Sequence, residues 1–125
     1  MTHKMMADEK ILKLIKRLAE LTDQNKISWA EAERGGAFLA SFSGNSASIS
    51  VRQSRQNSGQ SEYVLRILND WGDVIEEVGD EDFEGQDVYQ TMKMMFEKAR
   101  RISLGLDEAI DSILKQLDEV DDQPF

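Results

Sequence analysis

The hydrophobic period of this chain changes twice, and that change limits the folds open to it. In "DEKILKLIKRLAELTDQN" the residues Ile11, Leu14, Ile15, Leu18 and Leu21 recur at helical spacing and form one apolar stripe. From about residue 37 the period drops to two. In "AFLASF" (37–42), Phe38, Ala40 and Phe42 alternate with Ala37, Leu39 and Ser41. In "SASISVR" (46–52), Ala47, Ile49 and Val51 alternate with serines and Arg52. In "EYVLRIL" (62–68), Tyr63, Leu65 and Ile67 share a face. Alternation with β-branched and aromatic residues predicts strands. A fourth short strand is expected from Val74 to Val78. Helical spacing then returns in Val88, Met92, Met95, Ala99 and Ile102, widened by Tyr89 and Phe96. It continues in a last helix with Leu106, Ala109, Ile110, Ile113, Leu114 and Leu117 on one side.

The residues between these segments are turn and cap residues. Ser43-Gly44-Asn45 predicts a tight hairpin, "SRQNSGQS" (54–61) a longer polar one, and Gly72 a turn with positive φ. Asp8, Asp87 (with Gln90 three residues on) and Asp107 are the expected N-caps, and Asn25 and Gly105 the expected helix stops. Four consecutive strands with short links make an antiparallel meander. Helix, strands, helix, helix therefore predicts an α+β fold. Its antiparallel three- to four-stranded sheet carries an N-terminal helix and two C-terminal helices packed on one face.

A chain of 125 residues fits a single domain, 1–125, with frayed ends expected at 1–6 and 118–125. It has no cysteine, so disulfides, thiolate metal sites and thiol catalysis are excluded, and a reducing cytoplasm suits it. No apolar run reaches the ~18 residues of a membrane span. The charges scattered through "MTHKMMADEKILKLIKRL" are unlike a signal peptide.

The net charge of −9 is concentrated. Residues 70–87 hold nine acids and no base, and residues 106–125 contribute −6, while 1–69 and 88–105 each sum to +3. Such a field repels phosphate backbones, so direct binding to nucleic acid or an anionic membrane is not expected, and a basic partner is left open.

The acidic stretch "DEDFEGQD" (80–87) invites a calcium reading. Asp80, Asp82, Glu84 and Gly85 match positions 1, 3, 5 and 6 of an EF-hand loop, but position 12 is Thr91, which has no carboxylate. The segment ahead reads as a strand, where the motif needs a helix. A solvated acidic connection is the favoured reading. His3 is the single histidine and lies in the start expected to fray, so no histidine remains for a Ser-His-Asp arrangement. Gly35-Gly36 precedes a strand, the reverse of a phosphate cradle. Glu76 and Glu77 point to opposite faces of a strand, and Asp107 is expected to cap, leaving Asp111 alone. Met92 and Met95 fit a core, and Met94 lies off their stripe. Trp29 and Trp71 are interface candidates, and Arg52, Arg55 and Arg66 a modest basic patch. No catalytic, cofactor-binding or metal-binding residue is expected, and no cofactor.

Two segments also carry a resemblance. Asn69, Asp70, Gly72, Ile75 and Val78 lead into "YQTMKMMFEKARRISLGLDEAIDSILKQL", preceded by "KISWAEAERGGAFLASF". This resembles a family of small bacterial proteins of unknown function. The resemblance implies a bacterial source and an α+β fold, and no activity.

Function is then expected to be surface contact: a non-enzymatic protein-binding module of regulator, adaptor or immunity type. The alternatives are an acidic dimeric chaperone for an exported protein, which would be a homodimer, and an acidic nucleic-acid mimic using 70–87. An enzyme working through surface carboxylates is the least favoured.

Overall fold

The computed structural model describes the backbone of residues 2–32, 36–84 and 86–122, and side chains from residue 9 onward within those ranges, Gln86 excepted. The elements are α1 (Thr2–Asp23), β1 (Trp29–Glu31), β2 (Ala37–Ser41), β3 (Ser46–Gln53), β4 (Ser61–Leu68), β5 (Val74–Gly79), a 3-10 turn (Asp80–Asp82), α2 (Gln86–Leu104) and α3 (Leu106–Asp122). The class is α+β. The strands form one antiparallel meander in the order β1-β2-β3-β4-β5.

The sheet has five strands, not the three to four expected. The extra one, β1, is three residues long, too short for alternation to show in the sequence. Trp29 holds it in place. Its ring is buried, and its Nε1 donates to Thr22 Oγ1 at 3.0 Å, tying the sheet edge to the end of α1. Trp29 is therefore a core residue and not the interface anchor expected. Helix α1 stops as expected at Asn25, which adopts φ 60 while Lys26 N closes back on Leu21 O at 2.9 Å.

Helix α2 lies on the sheet because its stripe matches the sheet's inner face. Val88, Met92, Met95 and Ala99 are buried against Phe38, Ala40, Ala47, Ile49, Tyr63, Leu65 and Val78. Three tilted ring pairs stitch the layers: Phe38–Phe96 at 5.4 Å, Tyr63–Phe96 at 5.5 Å and Tyr63–Tyr89 at 5.6 Å. Helix α1 packs on α2 and adds Ile11, Ile15 and Leu18 to the same core.

The expected N-caps shift. Helix α1 begins at Thr2, so Asp8 lies inside it; Asp87 lies in the first turn of α2. Asp107 lies in the first turn of α3, where its carboxylate takes Arg101 Nη2 at 2.6 Å instead of capping. Gly105, at φ 63, makes the break between α2 and α3 that its position predicts. The principal neighbour of α3 is α2, and no side chain of α3 is buried.

Candidate functional site

The sheet face away from α2 is the first place to look, because it collects most of the charged candidates. The register places Arg66 beside Glu77, Val64 beside Ser50 and Gly79, and Arg52 beside Glu62. The side chains close into a chain of alternating sign. Arg66 Nε donates to Glu77 Oε1 at 2.7 Å, and Arg52 Nη1 to Glu77 Oε2 at 3.4 Å. Arg52 Nε donates to Glu62 Oε1 at 2.9 Å, Arg55 Nη2 to Glu62 Oε2 at 3.1 Å, and Arg55 Nη2 also reaches Asp82 Oδ1 at 3.5 Å. The Arg52–Glu77 bond spans the row that holds Val64, which is why Val64 is fully buried on the face opposite the helices. Arg52, Arg55 and Arg66 thus do not form the basic patch read from the sequence. Each faces a carboxylate contributed by β4, β5 or the 3-10 turn.

Glu62 is the centre of this chain and is 0 % exposed. Burial pushes its carboxyl pKa up, but the hydrogen bonds from Arg55 and Arg52 outweigh burial and hold it below the ordinary glutamate range. Both guanidiniums are pushed up in turn, chiefly by their hydrogen bonds to Glu62. Space for that carboxylate comes from Gly79, where a Cβ would collide with Glu62 Oε2 and Cδ. Arrangements of this kind neutralise charge and fix register; they leave no group poised to transfer a proton.

Three acids of the 80–87 stretch, Asp80, Glu81 and Asp82, bond to groups around the turn. Asp80 is buried and its Oδ1 accepts from Tyr63 N at 2.6 Å; burial raises its pKa despite that bond. Asp82 Oδ2 accepts from Gly79 N at 2.8 Å. Glu81 accepts from Ser54 Oγ with one oxygen, while its Oε1 is buried and unbonded. These carboxylates point to separate partners, and among the described residues no three acids or histidines gather in a metal-holding group. Glu77 lies in the ion chain while Glu76 accepts from Glu77 N at 3.0 Å, so the two do not meet a common substrate. The side chain of His3, and Gly35, lie outside the described residues; Gly36 sits in a turn at φ 87.

Two open depressions adjoin the core. One, of about 510 Å³, runs between α1 and α2 over Ala19, Thr22, Met94 and Met95. The other, of about 750 Å³, lies under the β3–β4 loop beside Tyr63, Tyr89, Asp80 and Lys93. Thr22, Asp23, Thr91 and Lys98 line the first and Ser61, Asp80, Glu81 and Lys93 the second, and among the described residues none of these hydroxyls hydrogen-bonds to a carboxylate or lysine. Met94 is exposed, as its place off the stripe predicts, and Trp71 is 87 % exposed at the tip of the β4–β5 turn. That turn is rigid: Asn69 Oδ1 accepts from both Trp71 N and Asp73 N at 3.0 Å, and Gly72 takes φ 85.

The longest run of exposed apolar side chains among the described residues is on α3. Leu106, Ile110, Ile113, Leu114, Leu117 and Val120 share one side of the helix and all are exposed, Ile113 by 56 %, Leu117 by 57 % and Val120 by 65 %. Solvated stripes of this length are uncommon on monomers and mark contact surfaces. Asp107, Asp111, Asp118 and Asp121 line one edge of the stripe. Sequence reading found most of the stripe, but took it as one more core-facing side.

No family model, no curated protein and no solved structure matches this chain. The surfaces of the chain itself therefore carry the functional reading. Among the described residues no helix is long and apolar enough to cross a membrane.

Proposed function

We propose that this chain is a protein-binding module that acts by surface contact and not by catalysis, with α3 as its contact surface. The observation that carries the reading is the six-residue aliphatic stripe of α3, none of which is buried. Leaving it in water is unfavourable by about 25 cal/mol for every Å² that a partner could cover. The charged groups support the same reading: the strongest clusters, around Glu62 and Asp80, are engaged with arginines and backbone amides. The nucleic-acid mimic loses support, because Glu77, Asp80 and Asp82 of the acidic segment are already partnered. We read the setting as a reducing cytoplasm, on the cysteine-free composition.

The test is a paired capture. Wild type and the double variant Ile113→Asp/Leu117→Asp are used as bait in native lysate under one salt condition. The expected result is a partner held by wild type and lost by the variant, with both melting at the same temperature. Identical capture profiles would remove α3 from the function.

A further inference from the structure

The stripe of α3 also indicates what covers it; this step rests on the reading of α3 as the contact surface. Leu106, Ile110, Ile113, Leu117 and Val120 follow one another at steps of four, three, four and three residues. That spacing also fits the a/d seam of a left-handed coiled coil, with Ile110 and Leu117 at a and Leu106, Ile113 and Val120 at d. The flanking positions then differ in kind. On one edge the e positions are Asp107, Leu114 and Asp121, with Asp111 and Asp118 at b behind them. On the other edge the g positions are Ala109 and Gln116. Arg101 engages Asp107, and among the described residues Asp111, Asp118 and Asp121 join no ion pair. Over its whole length α3 holds seven acids and one base, Lys115.

A second copy of this chain fits that edge poorly. In an antiparallel pair the e edges meet, aspartate against aspartate. In a parallel pair e meets g, so the aspartates face Ala109 and Gln116 and gain no cation. Both arrangements set two helices of charge −6 side by side. We infer that the occupant of the α3 seam is a helix of another protein, apolar at its own a and d positions and lined with lysine or arginine on the edge that meets the aspartates. Its paired length is about 25 Å, the length of α3 at 1.5 Å per residue. The apolar seam supplies the burial, and the charged edge selects partner and orientation.

The experiment uses the full chain and two synthetic peptides about three heptads long, identical at a and d, one with lysine and one with glutamate at e and g. Titrations are read by fluorescence anisotropy at low and high salt, alongside sedimentation equilibrium of the chain alone. The expected result is a monomeric chain that binds the lysine peptide at least about tenfold more tightly than the glutamate peptide, Asp121 acting together with the neighbouring Asp111 and Asp118. High salt should narrow the gap. Ile113→Asp should abolish binding without moving the melt, and Asp118→Lys/Asp121→Lys should shrink or reverse the preference. Equal binding of both peptides overturns the inference. A monomer that binds neither overturns it too. A concentration-dependent dimer that Ile113→Asp dissociates overturns it in favour of a second copy, while leaving α3 as the contact surface. The contact-surface reading itself falls only when the lysate partner is indifferent to the double variant.

Discussion

Helices α2 and α3 are neighbours joined through Gly105, and their apolar stripes have the same spacing. Val88, Met92, Met95, Ala99 and Ile102 step by four, three, four and three residues, as do Leu106, Ile110, Ile113, Leu117 and Val120. Yet four of the five in α2 are buried and none in α3 is. The difference lies in what the rest of the chain offers them. The inner face of the sheet is a single apolar surface, and α2 fills it with help from Tyr89 and Phe96. The outer face is closed by the Arg66–Glu77–Arg52–Glu62–Arg55–Asp82 chain. Helix α3 has α2 as its principal neighbour, and its stripe is left uncovered. An amphipathic pattern states that a face needs covering; it does not state which molecule covers it.

The largest expected effect tests that contrast directly. Met92→Asp places a carboxylate at a site with 0 % exposure, inside a cluster of apolar side chains. A loss of about 4–5 kcal/mol is expected, enough to bring a domain at the low end of the usual range of about 5–15 kcal/mol to the edge of unfolding. The matching change in α3, Ile113→Asp, is expected to stay within about 0.5 kcal/mol, as for other exposed sites. Urea melts of the two variants check this. A large loss at Ile113 would mean that α3 folds back on its own chain in solution, and the contrast would fail.

The closed outer face is the second half of the argument, and Gly79 is its weak point. Gly79 has φ −106, a conformation any residue adopts, so Gly79→Ala adds no backbone strain. Its cost is the collision with the Glu62 carboxylate. Driving that carboxylate off Arg52 and Arg55 is expected to cost about 2–3 kcal/mol, below the 3–5 of a fully buried pair because both arginines are partly exposed. In the Glu62→Ala background the cost of Gly79→Ala should fall to near zero, and a double-mutant cycle measures this coupling. Additive losses would mean that Gly79 is glycine for another reason.

The same carboxylate gives the face a pH dependence. Its pKa is held below the unfolded value of about 4.3. Its contribution is therefore complete above that value and disappears as pH falls through the lower, folded value. Asp80 has the opposite sign. Its folded pKa is raised, so ionisation costs stability and acid relieves that cost as pH falls through the raised value towards about 3.9. Glu62→Gln is expected to lose about 1–2 kcal/mol at neutral pH, with the arginines still part-solvated, and to lose less than wild type on further acidification below about pH 4. Parallel acid-denaturation curves for the two proteins would mean that Glu62 does not hold the face closed.

How much of this was legible beforehand depends on the range of the interaction. The four longer strands, their turns and the stripes of all three helices follow from local period and turn chemistry, and the structure has the strands within one residue, whereas α1 starts six residues before its expected cap. Strand β1 has too few residues for a period, and only its pairing with β2 identifies it. Glu62 reads as an ordinary solvent-facing strand residue; its burial comes from Arg52 across the hairpin and Arg55 seven residues back in the chain. The exposure of α3 was hidden for a related reason. Nothing local distinguishes its stripe from that of α2, because what separates them is the state of surfaces formed elsewhere in the chain.

The smallest expected effect separates α3 from its rival. Trp71 is the most exposed large apolar side chain among the described residues, held on a turn that Asn69 fixes from both sides. Its ring contributes nothing to the core, so Trp71→Phe should leave the melt within about 0.5 kcal/mol of wild type. The two tryptophans are then distinguishable by emission: Trp29 is buried and Trp71 solvated, so Trp71→Phe should shift the emission maximum to the blue. Binding at α3 leaves the Trp71 environment unchanged, and the emission maximum of wild type should hold still as the lysine peptide saturates. A blue shift on binding that vanishes in Trp71→Phe would move the contact surface from the last helix to the β4–β5 turn.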